Sequence, residues 1–229
     1  SPMGATPHSW LETYLGVGDE NPMLLQLRDA GHDLWFTYSR GTTYSNVHKE
    51  YEYDSKEFWD FSWEDAGVGD IKAALSYVNA RTNQKVAIMG YSMGTTQIFS
   101  ALALDYQNFY RDRTYKVVQI APCTITEPSL YKAFNTASVT ALDTMGIYEV
   151  GGPTWYKTVV KVRKVMGING IRGIMGGGWG TILKQISMKS FYHYAQNAKE
   201  GRFQRYSDNY WTPIVGKTKT DLYDLSQFD

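Results

Sequence analysis

The pentapeptide Gly90-Tyr91-Ser92-Met93-Gly94 constrains the fold of this chain more than any other feature. It follows the apolar, β-prone run 86–89 directly and opens a stretch with helical spacing of apolar or small residues: Thr95, Ile98, Phe99 and Leu102. Gly-x-Ser-x-Gly between a strand and a helix is typical of a nucleophile elbow, whose sharp turn strains the serine backbone and needs glycines to avoid collisions. The sequence therefore predicts that Ser92 is a nucleophile, with Gly90, Tyr91 and Gly94 forming the turn.

Strand and helix patterns alternate around this motif. The runs 34–36 and 117–120 are, like 86–89, almost continuously apolar, which is typical of strands buried on both faces of a parallel sheet. Ser62 followed by Trp63-Glu64-Asp65 predicts a helix N-cap with an acidic first turn. Apolar residues then recur at the helical spacing i, i+3, i+4 and i+7, which predicts that the helix continues through Ile71, Ala74, Leu75 and Val78. The alternation predicts an α/β fold with a mostly parallel sheet flanked by helices.

Composition excludes several classes of partner. The formal net charge is zero, so nucleic-acid binding is not indicated. Basic residues between 157 and 164 alternate with valines, which favours a solvated helix face over a lipid-headgroup patch. No apolar run approaches 18 residues, so no membrane span is predicted, and no signal peptide is predicted at the start. The single cysteine, Cys123, cannot form an internal disulfide.

The pattern changes between residues 125 and 190, where strand signals fade and weak helices alternate with glycine clusters. The run 176–180 is not followed by Gly-Lys-Ser/Thr, which favours a turn or hinge over a phosphate-binding loop. The apolar stripe Val159, Val162, Val165 and Met166 fits either core packing or the lining of a cap over a binding cleft. The pattern therefore divides the chain into residues 1–124, 125–190 and 191–229.

A nucleophilic serine needs a general base, which in α/β-hydrolases is a histidine that follows the serine and an acidic residue in the chain. The one histidine after Ser92 is His193, which lies in an aromatic, helical stretch that favours a packing or hydrogen-bonding role. His8, His32 and His48 precede the serine. The histidines and the cysteine show no metal-ligand spacing. The sequence thus predicts a nucleophile without an accompanying base, and no metal site.

Several longer segments resemble the acid lipase family, which includes gastric lipase and lysosomal acid lipase. The family's elbow, Gly-His-Ser-Gln-Gly followed by Thr-Thr, corresponds to residues 90–96, and its Leu-Ala-Pro resembles Ala121-Pro122. The other matching segments are Ala30-Gly31-His32-Asp33-Leu34-Trp35, Ser39-Arg40-Gly41-Thr42-Thr43-Tyr44-Ser45, Glu57-Phe58-Trp59-Asp60-Phe61-Ser62-Trp63, Tyr194-Ala195-Gln196 and Gly201-Arg202-Phe203-Gln204-Arg205-Tyr206. The resemblance covers most of the chain except 125–190, where the family keeps its divergent cap.

The resemblance implies an α/β-hydrolase fold with a helical cap and a serine carboxylic ester hydrolase that cleaves acylglycerol or sterol esters through an acyl-enzyme. It implies Ser92 as the nucleophile and the backbone N–H groups of Met93 and Met3 as oxyanion donors. It implies no metal or organic cofactor. It also implies a lipid ester substrate, contact with lipid through the cap, and a secreted or lysosomal location.

The chain departs from the family in the oxyanion loop and at both ends. Pro2 replaces a flexible glycine of that loop, and Met93 replaces glutamine. The chain begins at the oxyanion loop and ends before the segments that carry the family's catalytic acid and histidine. We therefore expect a partial chain that lacks the outer strands and needs further polypeptide to complete the triad. Two other functions are compatible with the sequence: a catalytically incomplete module with a structural or interaction role, and an esterase or thioesterase for small soluble acyl groups.

Overall fold

A helix–strand–helix–strand unit forms the centre of the described chain. The computed structural model describes residues 10, 23–152, 155, 157, 185–212 and 220–226. Helix α1 (Met23–Asp29) precedes a long helical segment that comprises α2 (Trp63–Asp65), a π-helical stretch (Ala66–Ile71) and α3 (Lys72–Thr82). Strand β1 (Val86–Tyr91), helix α4 (Met93–Asp105), a π-helical turn (Tyr106–Tyr110) and strand β2 (Thr114–Ile120) follow.

Two further helices and a pair of two-residue strands follow β2. A 3-10 turn (Pro128–Tyr131) leads to helix α5 (Thr136–Thr144) and strand β3 (Glu149–Val150). Strand β4 (Ile186–Ser187) pairs antiparallel with β3 and runs directly into helix α6 (Met188–Glu200). The predicted glycine-rich turn 176–180 and the apolar stripe between 159 and 166 lie outside the described residues. No helix among the described residues is long and apolar enough to cross a bilayer.

The N-terminus of α2 is fixed by the predicted cap. The Ser62 hydroxyl accepts a hydrogen bond from the Glu64 N–H at 3.1 Å, and the Asp65 carboxylate accepts one from the Ser62 N–H at 2.7 Å. This reciprocal capping box satisfies two N–H groups that a helix start leaves unpaired. The predicted helix after Ser62 is therefore confirmed, although π-helical turns interrupt it before α3 begins.

Two of the three predicted strands are confirmed. β1 and β2 pair in parallel, with Ile88 opposite Val117 and Tyr91 opposite Ile120. The strand predicted for 34–36 is wrong, because residues 32–39 have no regular secondary structure and Trp35 and Phe36 are exposed by 43% and 41%. A strand needs a neighbour for its backbone N–H and C=O groups, and none of the described residues pairs with 34–36.

One face of the parallel pair packs on the helices. Buried side chains of α3 and α4 pack against Val86 and Ile88 of β1: Leu75, Ile98, Ala101 and Leu102. On the opposite face, Ala87 and the neighbouring Lys116 are exposed. Burial on both faces, which the apolar runs predicted, is therefore wrong for this part of the sheet. The covered face places α4 directly behind β1.

Helix α4 also packs closely on the π-helical stretch before α3. A Cβ atom added to Gly67 would lie 2.4 Å from the Gln97 carbonyl oxygen and 2.6 Å from the Ser100 hydroxyl. Only glycine, which has no side chain, allows the two backbones to approach each other this closely. A second core, built mainly of aromatic side chains, lies between α2, the start of α4 and α6; it includes Trp63, Met93, Tyr194 and Phe203.

Candidate active site

Ser92 occupies the turn between β1 and α4. Its backbone angles are φ 52° and ψ −121°, a conformation that residues other than glycine rarely adopt. Such strain costs roughly 1–3 kcal/mol and concentrates at functional sites. The Ser92 side chain is half-buried. The predicted order of strand, turn and helix is therefore confirmed, while the role of Ser92 as a nucleophile stays a prediction.

Gly90 is required by crowding at the base of this turn. A Cβ atom at position 90 would lie 2.5 Å from the Gln119 Oε1 atom, 2.9 Å from the Ile98 Cδ1 atom and 3.0 Å from the Gly94 carbonyl carbon. These contacts come from the neighbouring strand and from the first turns of α4. The first glycine of the motif therefore has the steric function that the elbow predicts.

The structure describes one of the two candidate oxyanion donors, Met93. Met93 is the first residue of α4, so its N–H has no partner within the helix and lies at the positive end of the helix dipole. Every residue except proline has a backbone N–H, so methionine in place of the family's glutamine keeps this donor. Met3, the second candidate donor, lies outside the described residues. Tyr91, the variable residue of the motif, packs edge-on against Trp10, with ring centroids 5.9 Å apart.

His193 is a buried packing residue. Its ring is fully buried, and its Nε2 atom lies 2.7 Å from the Gln204 carbonyl oxygen. A carbonyl only accepts hydrogen bonds, so Nε2 carries the proton and Nδ1 accepts from the Ser62 hydroxyl at 3.3 Å. Burial lowers the pKa of His193 to about 3, so the ring is neutral. The packing and hydrogen-bonding role expected for His193 is confirmed.

The histidines that the structure describes make no hydrogen bond to Ser92. His32 and His48 are exposed, and the Nδ1 atom of His48 accepts from the N–H groups of Glu50 and Tyr51. His8 lies outside the described residues. Within those same ranges, no group of three His, Cys, Asp or Glu side chains is arranged to hold a metal ion.

A small cavity lies beside the first residue of α4. Its volume is about 10 Å³, and its lining includes Ser39, Ser62, Met93, Gln97 and Ser190. That volume holds about one water molecule, so it is far too small for an acyl chain. Ser92 is not among its lining residues. This cavity is therefore not the substrate site.

A strained serine between a parallel strand and a packed helix is typical of α/β-hydrolases. Comparison with known proteins then narrows this class. The chain is 25% identical over 212 residues to Lipase 1 of Drosophila melanogaster, an alignment that covers 85% of the chain and 48% of that protein. It is 33% identical over 114 residues to gastric triacylglycerol lipase of Rattus norvegicus, covering 49% of the chain and 29% of the relative.

A third relative is also named as a lipase. The chain is 39% identical over 87 residues to a putative lysosomal acid lipase/cholesteryl ester hydrolase of Crotalus adamanteus, covering 38% of the chain and 22% of the relative. No protein-family model matches the chain. The chain thus spans between about a fifth and about a half of the length of these relatives. The matches confirm its resemblance to the acid lipases.

Proposed function

We propose that this chain belongs to a serine carboxylic ester hydrolase that cleaves acylglycerol or sterol esters, with Ser92 as the nucleophile. The observation that carries the proposal is the strained backbone of Ser92, at φ 52°, between the end of β1 and the start of α4. The names of the relatives support the substrate class, since they include a triacylglycerol lipase and a putative cholesteryl ester hydrolase.

In the proposed reaction, the Ser92 Oγ atom attacks the ester carbonyl carbon and the carbonyl oxygen becomes an oxyanion. The N–H groups of Met93 and Met3 donate to that oxyanion, and each such donor is worth about 2.7–4 kcal/mol in comparable enzymes. The intermediate expels the alcohol and leaves an acyl-enzyme, which water then hydrolyses to release the fatty acid. The proton of the Ser92 hydroxyl passes to a general base held by an orienting carboxylate, and this proposal assigns neither role to a described residue.

The proposal assigns a different role to each of three regions of the chain. Residues 1–124 form the hydrolase core, 125–190 form the cap, and 191–229 return to the core. The cap contacts lipid and lines the acyl site, so it sets the preference for substrate. The names of the gastric and lysosomal relatives favour a secreted or lysosomal location.

A fluorophosphonate probe tests the nucleophile in the full-length native protein, because it phosphonylates only activated serines. We expect one adduct on the peptide that contains Ser92, and none after Ser92→Ala. Ser226→Ala, which removes an exposed hydroxyl, should leave labelling unchanged. An adduct on another residue, with Ser92 unmodified, would overturn the assignment. Hydrolysis of a short-chain triacylglycerol should rise sharply above its solubility limit; a smooth curve would favour the esterase for small soluble acyl groups.

The second candidate is a catalytically incomplete module with a structural or interaction role, in which Ser92 has no general base. The same labelling experiment separates the two functions. A folded full-length protein that is not labelled and does not hydrolyse triacylglycerol or cholesteryl ester is the outcome for the incomplete module. Cooperative thermal unfolding of the same sample provides the evidence that the protein is folded.

A further inference from the structure

Two strained residues lie at the ends of the two parallel strands. Ser92 follows β1 with φ 52°, and Ala121 follows β2 with φ 50°. The Ser92 N–H donates to the Ile120 carbonyl oxygen at 3.0 Å, so the two turns are adjacent. Residues other than glycine keep such φ values only where surrounding contacts hold them. The contacts around these two turns therefore hold Ser92 and Ala121 in their strained conformations.

Thr95 joins the two turns through a single hydroxyl. Its Oγ1 atom donates to the Ser92 carbonyl oxygen at 2.6 Å and accepts from the Cys123 N–H at 3.2 Å. The Thr95 N–H donates to the same Ser92 carbonyl at 2.8 Å. Thr95 is fully buried, so water does not compete for these bonds. The Ser92 carbonyl is thus held by two donors from one residue.

Thr96 and Tyr194 extend the support to helix α6. The Thr96 hydroxyl donates to the Cys123 carbonyl oxygen at 3.1 Å and accepts from the Tyr194 hydroxyl at 2.9 Å. Tyr194 lies 98 positions further along the chain. Burial raises the pKa of Tyr194 well above its ordinary value, so the phenol stays protonated and remains a donor. Both backbone polar groups of Cys123 are therefore bonded to the two threonines.

We propose that Thr95 is a positioning residue for the Ser92 nucleophile, and that Thr96 and Tyr194 hold the turn at 121–124 against it. The inference rests on the proposed function, in which Ser92 attacks the ester. Thr95 is fully buried and bonds to the Ser92 carbonyl oxygen, so it is a positioning residue and not a catalytic one. A displacement of about 1 Å in a reacting group can cost about a hundredfold in rate. Removing the Thr95 hydroxyl releases the Ser92 carbonyl from one donor and the Cys123 N–H from its acceptor.

A purely structural role is the alternative, because threonines near helix starts often bond to nearby backbone carbonyls. Thr114 provides a matched control. It is also buried, and its hydroxyl donates to the Tyr110 carbonyl oxygen at 2.8 Å, but it lies at the opposite end of β2 from the serine. Loss of either hydroxyl should lower stability, whereas only loss of the Thr95 hydroxyl should change the reactivity of Ser92.

The test compares the second-order rate constant of fluorophosphonate labelling at Ser92 in full-length protein, together with the unfolding midpoint. Thr95→Val removes the hydroxyl and keeps the shape, and we expect labelling to slow about tenfold or more. Thr95→Ser restores the hydroxyl and should label within about threefold of the wild type. Tyr194→Phe should slow labelling about threefold. Thr114→Val should label at the wild-type rate.

The possible outcomes separate this inference from the proposed function. If the wild type is not labelled, the proposed function fails and the inference fails with it. If the wild type is labelled and Thr95→Val is labelled equally fast, only the inference is overturned. It is also overturned if labelling falls in Thr114→Val as much as in Thr95→Val. Should Thr95→Val fail to fold, Tyr194→Phe decides: slower labelling in a folded protein supports the inference, and an unchanged rate overturns it.

Discussion

The imidazole of His193 lies flat against the indole of Trp63, with ring centroids 3.7 Å apart and planes inclined by 15°. Both side chains are buried. The stack joins α6 to the start of α2, and it keeps His193 away from water, which disfavours the charged ring. A protonated His193 would also lose the acceptor on Nδ1 that the Ser62 hydroxyl uses.

Stability should therefore fall as the pH falls. The pKa of His193 is about 3 in the folded chain and about 6.5 when the chain is unfolded, so between these values the unfolded state binds the additional proton. The stabilisation is complete above pH 6.5 and is lost progressively as the pH falls towards 3. The slope is about 1.4 kcal/mol per pH unit, or about 2 kcal/mol between pH 6.5 and 5.

Urea unfolding at these two pH values measures the effect. His193→Gln keeps a donor for the Gln204 carbonyl and does not titrate, so its free energy of unfolding should depend less on pH by about that amount. Equal pH dependence in the wild type and in His193→Gln would show that the buried histidine does not contribute to acid sensitivity.

Loss of the Tyr223 hydrogen bond to the Glu64 carboxylate should lower the stability of the protein more than loss of the Arg205 ion pair. The Tyr223 hydroxyl donates to Glu64 from a buried position, whereas Arg205, at 2.9 Å, has a side chain that is 49% exposed. Tyr223→Phe should cost about 1.5–3 kcal/mol and Arg205→Gln about 1 kcal/mol or less. Chemical denaturation of the two variants gives the comparison, and a larger loss in Arg205→Gln would contradict it.

Ser62 should be a more important helix cap than Asn135, although both form capping boxes. The Ser62 hydroxyl caps α2 and also hydrogen-bonds to the buried His193, while Asn135 caps α5 from an exposed position. We expect Asn135→Ala to cost about 1 kcal/mol, and Ser62→Ala to cost about 1 kcal/mol more, because it leaves the His193 Nδ1 atom unpaired. Equal losses in thermal or urea unfolding would mean that the second bond of Ser62 is of no energetic importance.

Gly90→Ala should damage both stability and the reactivity of Ser92. The added methyl group would contact Gln119, Ile98 and Gly94 at 3.0 Å or less, and such overpacking costs about 1–3 kcal/mol. Gly31→Ala is the control, since Gly31 has φ 86° but no atom within 4 Å of an added Cβ. It should lose about 1–2 kcal/mol through backbone strain alone and leave labelling of Ser92 unchanged. Normal labelling of Gly90→Ala would argue that the turn tolerates a side chain.

Local patterns predicted the elbow unit well because each of its parts is specified by neighbouring residues. The apolar run before Gly90, the two glycines and the helical spacing after Ser92 all indicate the same arrangement, and the structure has it. The cap at Ser62 was predictable for the same reason. The run 34–36 was not, because a strand depends on a neighbour that the run itself does not encode.

Long-range contacts were beyond local patterns. Thr95 fitted the apolar stripe of α4 by spacing alone, yet its hydroxyl bonds to a residue 28 positions away. Tyr194 resembled a segment of the acid lipases, but the sequence did not indicate that it donates to Thr96. The Thr-Thr pair after the elbow was the one available signal for these positions, and hydrogen-bond partners separated by tens of residues cannot be read from spacing.

The contact at Gly67 has a consequence for how such a protein can vary. The α4 backbone lies against Gly67, so a side chain at this position would collide with α4, the helix that begins directly after Ser92. Replacing Gly67 by a larger residue would push α4 sideways and re-aim the serine without touching it. Substitutions that change the position of Ser92 can therefore arise in a helix that does not contain the serine.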